Sequence, residues 1–600
     1  MLEKRKEYRR LPIILLAVII LVQIIHIGYR FVSEKTSYHC DELYSYGLSN
    51  SFYQPFLEGS DVYSGDFQNV NEWFSGKEYR EYLTVQKGEQ FRYDSVWYNQ
   101  SKDRHPPLFY AVLHTVCSFF PDTFSFWYGM IPNLIYFAVM QFFLYKLSRN
   151  ILKSKYLSLL LCLFWGFTPA AVNNTLFIRM YCMLAMWTVI LMYLHSKLYQ
   201  KQEPPRGREF IPLVIVTALG ALTQYLFLFV AFVTAVCFCI RYLLKKQRKA
   251  FLLYGCSMLG GVLIAFALFP ASISHLLSEE GNAVKSMFGT QILISLRYLF
   301  YNDVFCIQSR KVVWLFYFLP AVLGILVILA LPILFLFRND PKVKAFPSKM
   351  KQRFCSAASH IKKLGIRGII RGIWHKMTNI DGMLGIMFLS VVTVVLVASY
   401  TVSYLIGFAN RYLYIIYPLA AVCGFSLLYF VFSRARHRKQ VMTVVTVLMI
   451  LNVFLHGNIV SYWQYENDLD LHKTFHKSNV IVVLNERSDF SALSSFSYEL
   501  YNADDVFITD YNDLSDCSEQ LKKLPSDAPL YLMMYTGGTS DDGAANIFSH
   551  TAFDGEKYYL KNENVQEYLN QHIPKEIAHQ YEYIGSYEFI EGMHLIYRLR

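Results

Sequence analysis

The chain has 600 residues, of which 54% are apolar, 17% aromatic and only 17% charged, with a mean hydropathy of +0.27. That balance excludes a soluble globular enzyme, a disordered chain and a nucleic-acid-binding protein, and its aromatic load suits membrane–water interfaces. The net charge of +12 matters less than where the charges fall.

In chain order, about eleven apolar stretches read as membrane-spanning helices: 11–28, 124–145, 156–172, 180–195, 210–222, 225–240, 251–271, 312–337, 383–404, 412–432 and 441–459. Crossing the hydrocarbon takes about 20 apolar residues, which most of these approach. If residues 1–10 are cytoplasmic, so are 146–155, 196–209, 241–250, 338–376 and 433–440, and together these hold 33 Lys and Arg against 5 Asp and Glu. The remainder holds 24 against 40. Lys and Arg accumulate on the cytoplasmic side. The expectation is a multi-pass protein of the cell membrane, N-terminus cytoplasmic and C-terminal region extracytoplasmic. The first span follows Lys4, Arg5, Lys6, Arg9 and Arg10 with no small-residue cleavage site after it, so it reads as a retained anchor.

Four parts result: 1–28, a tail and the first helix; 29–123, an outer loop; 124–459, the remaining helices; and 460–600, an outer domain. The outer loop closes on HPPLFYAVLHTVCSFF, apolar but too short to cross, which reads as a helix lying in the interface. The inner loop 338–376 has eleven basic residues against Asp340 alone, interleaved with Ile361, Leu364, Ile369, Ile370, Ile373 and Trp374. A basic amphipathic helix on anionic headgroups and a solvated linker both fit it. In 460–600, β-rich runs at 480–484, 506–508, 530–534 and 594–599 alternate with polar stretches, as in a small α/β domain. GGTSDDG at 537–543 lacks the G-x-G-x-x-G fingerprint and reads as a surface loop. The fold class is therefore a polytopic α-helical membrane protein with a C-terminal extracytoplasmic α/β domain.

Ionisable residues are scarce in the spans and gather at their outer ends. A coupled transporter buries such groups near the bilayer midplane; a reaction on a lipid substrate at the outer boundary needs them at the helix ends. In YHCDELYSYGLSNS (38–51), Asp41 and Glu42 are adjacent acids beside His39. One acid can serve as a general base while the other orients an acceptor. A helix cap with two solvated acids fits the same letters. KDRHPPLFY (102–110) sets Asp103 and His105, with Lys102 and Arg104, before the rigid Pro106–Pro107 turn. NNTLFIRMYCML (173–184) carries Arg179 and Tyr181; that arginine can grip phosphate with its planar fork or reach to headgroups. GFANRYLYIIYPL (407–419) carries Arg411 and Tyr412 at an outer end, where the charge bias disfavours an arginine. Gln224 and Tyr225, in LTQYLF, are further candidates with packing as their default role. The eleven cysteines show no metal-ligand spacing, and no metal is expected.

Taken in order, these pieces form a series: an Asp-Glu pair after span one, then D-x-H-P-P-L, an R-x-Y turn, a late N-R-Y-L…P-L segment and an outer α/β tail. The series resembles the GT-C superfamily of polytopic glycosyltransferases, in the branch of protein O-mannosyltransferases and aminoarabinose transferases, over most of residues 1–430. The resemblance implies that Asp41 is the base that deprotonates the acceptor hydroxyl and Glu42 its partner. Asp103, His105 and Pro106 would border the cavity, and Arg179 and Arg411 would stabilise the polyprenyl phosphate as it leaves. Many relatives carry Arg two residues before a proline at the start of span two; here Met130 precedes Pro132. That contact is either missing or supplied elsewhere, by Lys102 or Arg104.

The implied reaction is inverting transfer of a sugar from a polyprenyl-phosphate donor to an acceptor hydroxyl on the outer face, with no cofactor beyond the donor lipid. The implied partners are membrane lipids, polyprenyl phosphate among them, and a glycan, glycolipid or protein acceptor, without nucleic acid. The alternative is a lipid or polysaccharide transporter that performs no transfer chemistry; it would tolerate loss of the Asp41 carboxylate.

Overall fold

A computed structural model describes residues 2–35, 38–57, 70–277, 288–307, 382–401, 409–457, 467, 469–484, 495–510, 513–514, 516–525, 527–537, 569–577, 580–589 and 592–599. The expected span at 312–337, the basic loop at 338–376 and all but the first residue of GGTSDDG lie outside the described residues.

The first helix, α1 (Leu2–Ser33), is followed by four short ones: α2 (Cys40–Asn50), α3 (Lys77–Leu83), α4 (Tyr93–Lys102) and α5 (Leu108–Ser118). Then come α6 (Trp127–Leu152), α7 (Lys155–Phe167), α8 (Pro169–Leu176), α9 (Tyr181–Gln200), α10 (Ile211–Thr223), α11 (Leu226–Leu244) and α12 (Arg248–Leu268). The remaining described helices of this part are α13 (Ser272–Leu277), α14 (Phe288–Arg297), α15 (Gly382–Thr401), α16 (Tyr417–Val431) and α17 (Arg438–His456).

Seven of the described helices, α1 from Leu11, α6, α9, α11, α12, α15 and α17, are long and apolar enough to cross a membrane. None of these seven stretches contains Asp or Glu. The protein is a multi-pass helical membrane protein. Its large exposed apolar side chains, such as Leu21, Ile25, Leu252, Leu263, Leu448 and Leu455, lie on α1, α12 and α17, where lipid takes the place of a protein partner. Between the helices, buried amides act as glue: Gln23 Nε2 donates to Cys162 O (3.0 Å) and Gln141 Nε2 donates to Gln23 Oε1 (2.7 Å), tying α1, α6 and α7 together. α5 is short: its 11 residues make about 16 Å of helix, half the hydrocarbon thickness.

The stretch 156–172, expected as one span, is broken. α7 and α8 meet at a 57° bend. Thr168 precedes Pro169, and a residue before proline is pushed out of the helical region; here it is extended (φ −65°, ψ 147°). Its hydroxyl then caps α8 by accepting from Ala171 N (3.3 Å). All eight residues of α8 are buried. Asn133 on α6 anchors its far end by donating to Thr175 O (3.0 Å) and Phe177 O (2.8 Å). The bend therefore holds the 177–180 turn, with Arg179, inside the protein.

The C-terminal region contributes five strands to a six-stranded sheet in the order β1-β3-β2-β4-β6-β5, from β1 (Trp73–Ser75), β2 (Asn479–Leu484), β3 (Asp505–Asp510), β4 (Leu530–Gly537), β5 (Glu582–Phe589) and β6 (Gly592–Arg598). β2 is parallel to both neighbours and buried at every position, which is why it reads NVIVVL rather than alternating. β6 is antiparallel to β4 and β5. The edge strand β1 comes from the loop after α1 and pairs antiparallel with β3, Trp73 opposite Phe507. Nearby, Asn71 Nδ2 donates to Asp513 Oδ2 (2.8 Å) and Arg80 Nε to Tyr501 O (3.2 Å). The loop that carries α2 is thereby fastened to the C-terminal domain.

Candidate active site

α2 starts a few residues beyond α1, and its first turn is fixed by a capping box built on histidine. His39 Nδ1 accepts from Asp41 N (3.1 Å), and Glu42 Oε2 accepts from His39 N (3.0 Å). This sets Asp41 in the first turn, where the helix dipole favours a carboxylate.

Two arginines from distant parts of the chain meet that carboxylate. Arg411 Nη2 stands 3.1 Å from Asp41 Oδ2, and Arg179 Nη2 stands 3.8 Å from Oδ1. Arg179 Nη1 also donates to Asp41 O and to Ser45 Oγ, both at 3.2 Å. Burial alone would raise the Asp41 pKa, but Arg411 and Arg179, with smaller help from His39 and His105, outweigh it and hold the carboxyl well below the usual range. His39 is lowered to about 3, by burial first and then by Arg411, Arg179 and Lys35 against the pull of Asp41. It is neutral at physiological pH.

The cluster keeps unused bonding capacity. Arg179 Nε, Arg411 Nε and Asp41 Oδ2 are buried and have no hydrogen-bond partner of normal geometry among the described residues. For Oδ2 the 3.1 Å approach of Arg411 is thus an ion pair rather than an aligned hydrogen bond. Aromatic rings wall the site. Tyr181 stacks on Phe177 (centroids 5.9 Å apart) and meets Tyr412 edge-on at 5.8 Å, while Tyr110 lies 5.8 Å from the Arg179 guanidinium. His105 Nδ1 pairs with Asp103 Oδ2 at 2.7 Å. Burial raises the Asp103 pKa, but His105 and then Arg179 outweigh it, so this carboxyl is also held low.

The other candidates are placed differently. Glu42 is wholly buried and paired with Lys35, and it accepts from Ile178 N (2.8 Å); Lys35 Nζ also donates to Leu176 O (2.8 Å). Its carboxylate holds α1, α2 and the 177–180 turn together. Lys102 is exposed, with its ammonium 5.7 Å from the Tyr98 ring, and Arg104 is half-buried in the turn before α5. Gln224 Oε1 accepts from Leu226 N (3.0 Å) at the start of α11, and Tyr225 Oη pairs with His275 Nδ1 (3.0 Å). Met130 is fully buried in α6. Lys35 and Ser45 went unnoticed in the sequence: a lysine after a span and a serine in a helix carry no signal until their partners are placed.

The ligand atoms of His39, Cys40 and Asp41 lie within 4.8 Å of one another, close enough to hold a cation by distance. Charge opposes it, because the Asp41 carboxylate already faces two guanidinium groups. Such a pair of arginines suits an anion.

Residues 104–275 match the family model for dolichyl-phosphate-mannose-protein mannosyltransferase, a segment that includes His105, Arg179, Gln224 and Tyr225. Among solved structures, the chain is similar to ArnT from Cupriavidus metallidurans bound to undecaprenyl phosphate, at 10% identity, 98% coverage of each chain and a TM-score of 0.43. It is also similar to the oligosaccharyltransferase of Archaeoglobus fulgidus solved with Zn and sulfate, at 12% identity over 86% of this chain and 68% of that one, TM-score 0.42. The same organism's AglB in complex with an inhibitory peptide and a dolichol-phosphate gives 11% identity, 87% and 69% coverage and a TM-score of 0.41. No curated protein matches the sequence.

Proposed function

We propose that this protein is an integral membrane glycosyltransferase that moves a sugar from a polyprenyl monophosphate to an acceptor hydroxyl on the outer face of the membrane, with inversion and with Asp41 as general base. The observation that carries this reading is the convergence of Arg179 and Arg411 on Asp41 with buried Nε donors to spare. The matched family's name adds a lipid-phosphate sugar donor, and the charge bias along the chain puts this end of the spans outside.

In this mechanism the donor phosphate takes the two guanidinium groups. Asp41, relieved of part of its positive surroundings, gains basicity where the acceptor hydroxyl docks. The hydroxyl proton passes to Asp41 Oδ2 as its oxygen attacks the anomeric carbon from the face opposite the phosphate. The C–O bond to phosphate breaks, and the arginines balance the charge on the departing monoester. Holding both substrates in line removes much of the entropic barrier. Aromatic walls from Tyr110, Tyr181 and Tyr412 keep the field of the charges from being screened by water. Glu42 and Lys35 carry the scaffold, not the chemistry.

The test uses purified full-length protein supplied with lipid-linked sugars and envelope extract from a strain lacking the gene. Release of polyprenyl monophosphate together with appearance of a glycosylated product is the expected result. Lipid binding without any transfer would overturn the proposal in favour of a transporter.

A further inference from the structure

Arg411 sits in a short 3-10 turn (Ala409–Leu413) between α15 and α16, where its carbonyl accepts from Tyr414 N at 3.2 Å. One fully buried acid, in neither the capping box nor the cluster around Asp41, touches both ends of that segment. Asp303 closes a π-helical turn, Tyr298–Asp303, that continues α14. Its Oδ2 accepts from Tyr417 Oη at 2.7 Å and from Asn410 Nδ2 at 3.2 Å. Asn410 precedes Arg411, and Tyr417 opens α16.

We propose that Asp303 is a positioning residue for Arg411: by binding Asn410 and Tyr417 together it fixes the turn between them, so that the guanidinium stands on Asp41. The role given to Arg411 here rests on the glycosyltransferase reading; the clamp itself does not. Three facts support it. Asp303 is 3% exposed and has no Lys or Arg partner among the described residues, an expensive arrangement for a carboxyl with no structural or functional task. Both donors come from the segment that carries Arg411. Single π turns recur at functional sites, and this one ends on the acid. Burial pushes the Asp303 carboxyl up to about 7, against the opposing pull of the Tyr417 and Asn410 hydrogen bonds.

The experiment has two readouts on the full-length protein in detergent. In the first, the thermal-unfolding shifts of Asp41→Asn, Arg411→Gln and the double variant are measured with Asp303 intact and again in Asp303→Ala. With Asp303 present, the double variant should lose less than the two singles added, because the pair shares one interaction. In Asp303→Ala the losses should simply add. Tyr417→Phe, which removes one hydroxyl and keeps the core volume, should behave as Asp303→Ala does, whereas Asp303→Asn, which retains an acceptor oxygen, should keep most of the coupling. Unchanged coupling in both Asp303→Ala and Tyr417→Phe overturns the proposal.

The second readout is binding of undecaprenyl monophosphate. Asp303→Ala should weaken it about five-fold or more when Arg411 is present and less than about two-fold in Arg411→Gln. Equal weakening in both backgrounds gives Asp303 a merely structural role and overturns the proposal. If Arg411→Gln itself binds the lipid as wild type does, the phosphate-binding reading fails while the coupling in the first readout still decides the clamp.

Discussion

Lys35 and Glu42 form an ion pair with no solvent exposure, seven residues apart across the loop from α1 to α2. The acid beside the proposed base is thus tied to a buried lysine, and that has a testable consequence. Burial lowers the Lys35 pKa while Glu42 opposes the shift, so the lysine's charge depends on the acid. Removing one partner of a buried pair costs about 3–5 kcal/mol, because the survivor is left uncompensated. Lys35→Met should lower the unfolding temperature sharply. Adding Glu42→Gln should recover part of it, since no charge is left stranded, although the single amide oxygen can keep only one of the two bonds from Ile178 N and His39 N. Loss of transfer in Glu42→Gln at unchanged stability would instead give Glu42 a part in the chemistry.

The two arginines should not be exchangeable for lysine. A lysine at 411 keeps the charge but loses the planar fork, and with it the second donor aimed at phosphate. Loss of one preorganised donor to the departing charge typically lowers turnover by about 10²–10³. Arg411→Lys and Arg179→Lys should each fall in that range in a transfer assay. In Arg411→Gln the acid limb of the pH profile should also move upward, because the strongest influence holding the Asp41 carboxyl low is gone. An acid limb that stays in place would separate Asp41 from the observed titration.

Asp303 makes a prediction about stability against pH. Its folded pKa, about 7, lies above that of an unfolded carboxyl. Below pH 4 both states hold the proton and nothing changes. Between about 4 and 7 only the folded state holds it, so wild-type stability falls as pH rises, by up to roughly 4 kcal/mol at about 1.4 kcal/mol per pH unit. Asp303→Asn should be free of this dependence. Unfolding curves at pH 5 and pH 8 should show the variant gaining on the wild type at the higher pH. A constant difference would mean that the carboxyl is not protonated in the fold.

The edge strand β1 predicts how the extramembrane parts hold together. Trp73 packs on Phe507 at 5.4 Å, and its indole N–H donates to Leu521 O. An aromatic cross-strand pair contributes about 1 kcal/mol at most, so Trp73→Ala should leave the membrane part intact. Limited proteolysis should then cut within 460–600 faster than in wild type. Equal cutting would show that β1 does not fasten the two regions.

What could be read from the letters alone follows from how local each signal is. Asp41, Arg179 and Arg411 stood out because charges at the ends of apolar runs break a pattern that otherwise needs none, and the structure brings these three together. The strands at 480–484 and 506–508 were visible as compact β-branched runs, and both lie within observed strands. β1 was not, since three residues of WFS carry no periodicity, and its partner lies far along the chain. β5 is interrupted by an irregularity at Gly585 that breaks its alternation. The α7–α8 bend hid inside a continuous apolar run, where Thr168–Pro169 was the one mark. Asp303 is a lone acid in RYLFYNDVF; only the arrival of Tyr417 and Asn410 beside it gives it meaning.

The most direct test of Asp41 as the base is a glycan comparison by mass spectrometry on envelopes from three strains: one lacking the gene, one rescued with wild type, and one rescued with Asp41→Asn at matched expression. A sugar substituent that disappears in the first, returns in the second and stays absent in the third is the expected result. It corresponds to a loss of about 10²–10⁴ in rate when the proton acceptor is removed. Full restoration by Asp41→Asn would contradict it, because a side chain that cannot take the proton would then suffice.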